Sequence, residues 1–169
     1  MKVLSVAQPW AWAILHAGKT VENRSWHTLH RGPLLIHASK TQRWLETLQT
    51  QYDNTLPNGQ QVPAVESLPF GAIVGQVEVV DCVHWDWQHS DDKIQQHEFA
   101  RNRIADNPWA MTQWCWILKN PLPFATPVPC AGSLGLFGIA GKTQELVKQQ
   151  LKEAQHGRKQ RHRVDNAHL

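Results

Sequence analysis

The segment Gly71 to Val83 (GAIVGQVEVVDCV) constrains the fold more than any other part of the chain. Isoleucine and valine interleave there with Gln76, Glu78 and Asp81, the two-residue period of a strand with one apolar face. Other strand-like runs lie at Lys2–Val6, Val21–Trp26, Pro33–Ala38, Trp114–Leu118 and Leu134–Ala140. Short helical patterns separate them without a regular strand–helix–strand rhythm. That arrangement predicts an α+β domain built round a small antiparallel or mixed β-barrel flanked by short helices.

The helical patterns are few. Pro9–Ala17 (PWAWAILHA) is apolar nearly all round, so it reads as a compact, buried helix with Pro9 in its first turn. Ser39 is placed to cap a helix from Lys40 to about Gln51, anchored by Trp44 and Leu48. Tyr52–Pro69, with Pro57-Asn58-Gly59 inside it, has turn chemistry and reads as a long loop. The polar stretch from Ser90 to Arg103 can form a helix with Ile94, Phe99 and Ile104 on its apolar side. Pro121, Pro123, Pro127 and Pro129 forbid a helix and predict an extended connection. A last helix is expected from Thr143 to about Gln155, with Gly157–Leu169 as a disordered tail. The expected division is a domain over residues 1–141 and an appendage over 142–169.

A chain of 169 residues suits one domain with a real core. Its net charge of +3 is unevenly spread: residues 142–169 hold seven Lys/Arg against three acids, so the remainder is slightly acidic. Between residues 18 and 50, however, Lys19, Arg24, Arg31, Lys40 and Arg43 face only Glu22 and Glu46, the pattern of a basic cleft in an otherwise balanced body. Cys82, Cys115 and Cys130 are odd in number and far apart, which supports neither a disulfide framework nor a zinc motif and points to a reducing, cytoplasmic setting. The apolar start is interrupted by Gln8, Pro9 and His16, so no secretory leader is expected. No run approaches the roughly 18 apolar residues of a membrane span. No metal or other cofactor is expected, and a monomer is favoured.

The candidate site is Gly18-Lys19-Thr20-Val21-Glu22-Asn23-Arg24. Gly18 is placed like the residue after a helix end, where positive φ costs it nothing. If residues 20–26 are extended, Thr20, Glu22, Arg24 and Trp26 share one face, setting an acid, a base and an aromatic plane side by side. Lys19 has two possible roles. Exposed, it stays charged and anchors a phosphate; desolvated beside Arg24, it becomes a base. Glu22 favours the charged form, which weighs toward binding phosphate or polarising a carbonyl. Arg24 and Arg31 can clamp phosphate bidentately, Trp26 can stack on a base, and Ser133, between glycines, can offer its hydroxyl to an anion. His37 inside an apolar strand reads as a hydrogen-bonded structural residue. His27 and His30 lack the spacing of a helical chelate.

The ordered combination Gln8-Pro9-Trp10, Gly18-Lys19-x-x-Glu22-x-Arg24 and Arg31-Gly32 before an apolar strand resembles the opening of the ASCH (ASC-1 homology) domain, a group within the PUA-like superfamily. The resemblance runs over most of residues 2–140. It implies a β-barrel with flanking helices, a cleft near Gly18-Lys19, and RNA or nucleotide ligands, including modified, cytidine-like nucleosides. Some members of that family are amidohydrolases that deacylate N4 of acetylated cytidine with a lysine, a threonine and a glutamate, and others cleave RNA. Lys19 matches that lysine. Glu22 stands where the threonine would be, and the glutamate corresponds to Glu78 or Glu98. The resemblance therefore supports an RNA- or nucleoside-binding domain, with Lys19 and Glu22 as catalytic candidates if it is also a hydrolase. A third reading is a protein-interaction module using Trp85 and Trp87.

Overall fold

The computed structural model describes residues 1–46, 53–88, 104–111 and 113–166. Chain order is β1 (Lys2–Val6), α1 (Trp10–His16), β2 (Val21–Arg24), β3 (Gly32–Ala38), β4 (Ala72–His84), β5 (Trp114–Pro129), β6 (Leu136–Gly138) and α2 (Gly141–Asn166). The strands form one sheet in the order β2-β5-β4-β3-β1-β6. β1 and β3 are parallel; every other pairing is antiparallel. The α+β expectation is met by a mixed sheet curled into an open half-barrel.

Alternation along the strands decides what fills each face. Leu4, Val6, Leu34, Ile36, Val77 and Val79 point to one side, where they pack with Ala11, Ile14 and Leu15 of α1 and with Trp116 and Leu118. Val3, Leu35, Ile73 and Val128 point to the other, where Val147 of α2 covers them. A helix on each face thus completes the two apolar layers. The approach of α1 is close. A Cβ on Gly75 of β4 would lie 2.7 Å from the Leu122 carbonyl oxygen and 2.8 Å from the Leu15 methyls.

Three expectations need correction. The proline-rich stretch is not a connection: β5 runs unbroken from Trp114 to Pro129. Bonding on the side of its partner β2 reaches only to Leu118, so beyond it β5 is paired with a strand on one side and tolerates prolines as an edge strand does. The C-terminal helix continues past Gln155 and through Gly157 to Asn166, where disorder was expected. Its Lys/Arg/Gln run has good helix propensity, against which one glycine costs about 1 kcal/mol. Ser39 does not cap the helical turn at residues 43–46: its buried Oγ has no hydrogen-bond partner among the described residues, and Thr41 Oγ1 accepts from Arg43 N instead, at 3.5 Å.

Leu48 and the rest of that helix lie outside the described residues, as do the 90–103 helix with its Ile94 and Phe99, Glu98, and the Trp87 side chain. Residues 53–69 form the expected loop. Within it Asn58 Nδ2 donates to the carbonyl of Ala17 at 2.8 Å, satisfying an acceptor at the end of α1. Among the described residues no disulfide joins the three cysteines. No helix among the described residues is long and apolar enough to cross a membrane.

Candidate functional site

The turn after α1 places the site. Gly18 adopts φ +68°, and the backbone N–H of Lys19 returns to the carbonyl of Ala13 at 3.0 Å. The chain thereby folds back over the helix end and enters β2 in register with β5, Glu22 opposite Trp116 and Arg24 opposite Trp114. Glu22 and Arg24 share a face, as strand alternation requires.

There the Glu22 carboxylate is gripped from both sides. Lys19 Nζ donates to Oε2 at 3.1 Å and Arg24 Nη2 to Oε1 at 3.1 Å. Lys19 Nζ also donates to the Val21 carbonyl. Lys19 is 5% exposed and Glu22 6%, so this is a buried charge cluster with one cation in excess. Burial pushes the Lys19 pKa below that of an ordinary lysine. The Glu22 carboxylate pulls it back up, and the Arg24 charge adds a smaller downward push.

Lys19 is therefore not the exposed phosphate anchor that an open surface would offer. Its cover comes from residues 104–111. Asn23 Nδ2 donates to the Trp109 carbonyl at 2.7 Å, Asn23 Oδ1 accepts from Met111 N at 3.0 Å, and Asn107 Nδ2 donates to Thr20 Oγ1 at 3.1 Å. These bonds hold the buried Trp109 ring with its centroid 6.0 Å from Lys19 Nζ.

On the opposite side, Arg24 Nη2 also donates to the Ser5 carbonyl at 2.6 Å. Ser5 Oγ lies 3.0 Å from His37 Nδ1, and His37 Nε2 lies 3.0 Å from the Cys130 carbonyl. Because that carbonyl can only accept, Nε2 carries the proton and Ser5 donates to Nδ1. His37 is thus the buried, hydrogen-bonded structural residue read from the sequence, and burial lowers its pKa. A Cβ on Gly132 would lie 2.7 Å from His37 Cε1 and 2.9 Å from Ser5 Oγ, so Gly132 sits directly on this pair. The exposed Ser133 follows it.

The remaining candidates divide. Trp26 is half-buried and edge-on to Trp116, ring centroids 4.7 Å apart. Arg31 is committed elsewhere: Nη2 pairs with Asp81 Oδ1 at 3.0 Å, and Nη1 donates to the carbonyls of Thr28 and His30. Glu78 accepts from Asn120 Nδ2 at 2.8 Å and lines a groove shared with Arg158 and Lys159, a groove to which neither Lys19 nor Glu22 contributes. Trp85 packs against the cluster of Ala13, Val21 and Trp109. His27 stands edge-on to Trp114, and His30 Nε2 donates to the Pro33 carbonyl. Sequence reasoning missed Ser5, Asn23, Asn107 and Trp109. Only Asn23, inside the charged stretch, carried a local signal.

The ASCH domain model matches residues 4–128. The chain belongs to the ASCH domain family. It is 30% identical over 149 residues to human activating signal cointegrator 1 and 28% identical over the same length to the mouse protein. Those matches take in 88% of this chain but 24% of the relatives, so the chain spans about a quarter of their length. Among solved structures, the ASCH protein of Zymomonas mobilis is similar at 16% identity and TM-score 0.48, covering 87% of this chain and 93% of that one. A point variant of it aligns at TM-score 0.47 with 16% identity, covering 88% and 94%. The ASCH match begins at Leu4, so it includes Ser5 as well as the Lys19–Arg24 stretch.

Proposed function

We propose that this ASCH domain binds RNA or a modified, cytidine-like nucleoside at the Lys19–Glu22–Arg24 cluster. The observation that carries the reading is a carboxylate buried between two cations at the residues that mark the family in sequence. Burying charge is costly, and a hydrophobic trio of similar volume often stabilises as well or better. A perturbed, buried cluster of this kind is a functional-site candidate on physical grounds. Its excess positive charge suits a phosphate or a base carbonyl. Among the described residues Arg24 uses only Nη2, which leaves Nη1 to donate to a ligand, and the half-buried Trp26 ring supplies an adjacent plane.

Calorimetric titration of the full chain with cytidine, N4-acetylcytidine and a trinucleotide tests this. Arg24→Lys keeps the charge but loses the planar fork, and is expected to weaken binding at least tenfold while the thermal transition stays cooperative. Equal affinity in wild type and in folded Arg24→Lys and Glu22→Gln variants would remove the ligand from this cluster.

A hydrolytic reading is favoured by the burial of Lys19 beside Glu22, which lowers the lysine's pKa. An amine that gives up its proton more readily than usual can take one from water. In deacylation of N4-acylcytidine, the water oxygen adds to the acyl carbon, the C–N4 bond breaks, and the proton passes to N4, giving cytidine and a carboxylic acid. Glu22, hydrogen-bonded to Lys19, would carry that proton. Release of acetate from N4-acetylcytidine, lost in Lys19→Met, supports this reading. Binding without turnover of either the acylated nucleoside or RNA rejects it.

A further inference from the structure

The C-terminal helix offers a second surface, outside the span of the family match. We infer that the outer face of α2 binds the phosphate backbone of single-stranded RNA, extending the ligand beyond the Lys19–Arg24 cluster. This rests on the reading of the ligand as a nucleic acid, not on the chemistry of that cluster.

Packing fixes how α2 is turned. Val147 is fully buried, and the nearly buried Gln150 accepts from Thr126 N at 2.9 Å, which locks one side of the helix to β5. Lys148, Lys152 and Lys159 are consequently exposed, at spacings of four and seven residues that keep them on one stripe. With a rise of 1.5 Å per residue they stand about 6 Å and about 10 Å apart along the axis. Past Gln150, no residue of α2 whose side chain is described is buried, so packing does not account for the basic sequence that continues through Arg158.

The charges themselves argue for an external anion. Lys148 and Lys152 are a like-charged i,i+4 pair, and such pairs destabilise a helix. Among the described residues none of Lys148, Lys152, Arg158 and Lys159 forms an ion pair. The acids of the helix whose side chains are described do not pair with these lysines. Glu153 is taken up by the amides of Gln149 and Gln150, at 2.9 and 2.7 Å, and Glu145, three residues before Lys148, forms no ion pair with it. Arg158 and Lys159 also border an open groove of about 490 Å³ against Pro33, Asn120 and Leu122, where Glu78 is the one carboxylate among the described residues. A polyanion running along the stripe would relieve the repulsion that the fold leaves in place.

The test is the salt dependence of binding to a 20-residue oligouridylate, measured with the full chain. Each neutralised phosphate contact on a single strand contributes about 0.7 to the log–log slope, so Lys148→Gln/Lys152→Gln/Lys159→Gln together are expected to lower it by about 2 and to weaken binding at low salt. The triple Lys→Arg variant is expected to keep the wild-type slope. Unchanged affinity and slope in a Lys→Gln triple variant with native helicity would overturn the proposal. So would vesicles containing phosphatidylserine bound through these lysines while RNA binding is unaffected. A trinucleotide is too short to follow the stripe, so its binding should be indifferent to the triple change. Loss of trinucleotide binding in Arg24→Lys reports on the other site alone.

Discussion

Arg24 Nη2 donates to the carbonyl of Ser5 at 2.6 Å, although β2 and β1 lie near opposite ends of the sheet. The sheet curls until the Arg24 side chain on β2 reaches β1, and this bond spans strands that backbone pairing does not join. The same nitrogen holds Glu22. One guanidinium nitrogen therefore ties the curl of the sheet to the charged cluster.

Arg24→Ala should test that coupling. The substitution leaves the Ser5 carbonyl and one oxygen of the buried Glu22 without their donor, a loss of about 1–3 kcal/mol for an unsatisfied buried acceptor. Urea unfolding should show a lower midpoint, and hydrogen exchange should rise in both β1 and β2. Protection lost in β2 alone would mean that the bond does not join the two ends.

Much of this was legible before the structure. The positive φ at Gly18, the strand through Glu22 and Arg24, and their shared face all follow from local pattern. What surrounds Lys19 does not. Trp109 and Asn107 lie nearly ninety residues along the chain, and it is the pairing of β5 with β2 that brings the residues just before β5 against the motif. That is why the sequence leaves Lys19 open between an exposed phosphate anchor and a desolvated base, and the fold is needed to show it buried. The prolines of β5 misled for a related reason. Proline forbids a helix by its local chemistry, but whether a strand tolerates it depends on the neighbour that β2 stops short of providing.

Trp109→Ala should uncover Lys19. Removing a buried tryptophan costs about 3–5 kcal/mol. Because burial is the main cause of the lowered Lys19 pKa, the variant should also move that pKa upward, toward ordinary lysine. Amine-selective labelling of Lys19 across alkaline pH checks the second effect separately from the stability loss. A pKa unmoved in folded protein would mean that other groups exclude the water.

The same shift makes a statement about stability. With the Lys19 pKa lower in the folded chain than the 10.5 of a free lysine, the unfolded chain holds more protons between those two values. Stability therefore gains a positive contribution as pH rises through that window, and the penalty for keeping the buried ammonium charged is fully present below it. Urea titrations of wild type and Lys19→Met at successive pH values isolate the effect. The difference, wild type minus variant, should move in favour of wild type with rising pH, and the opposite slope would show that Glu22 outweighs burial.

Two glycines should respond to alanine with opposite signs. At Gly75 the new Cβ meets the Leu122 carbonyl oxygen at 2.7 Å, backbone that cannot swing aside, as well as the methyls of Leu15. Overpacking there should cost about 1–3 kcal/mol and push α1 off the sheet. At Gly157 nothing lies within 4 Å of the new Cβ, and the residue is interior to α2. Alanine spares the helix the backbone entropy of glycine and should stabilise it by about 0.5–1 kcal/mol. Far-UV circular dichroism should show more helix in Gly157→Ala and no gain in Gly75→Ala. A Gly157→Ala variant with unchanged helicity would mean that α2 ends in solution near Gln155, and the lysine stripe would then lose Lys159 from its helical register.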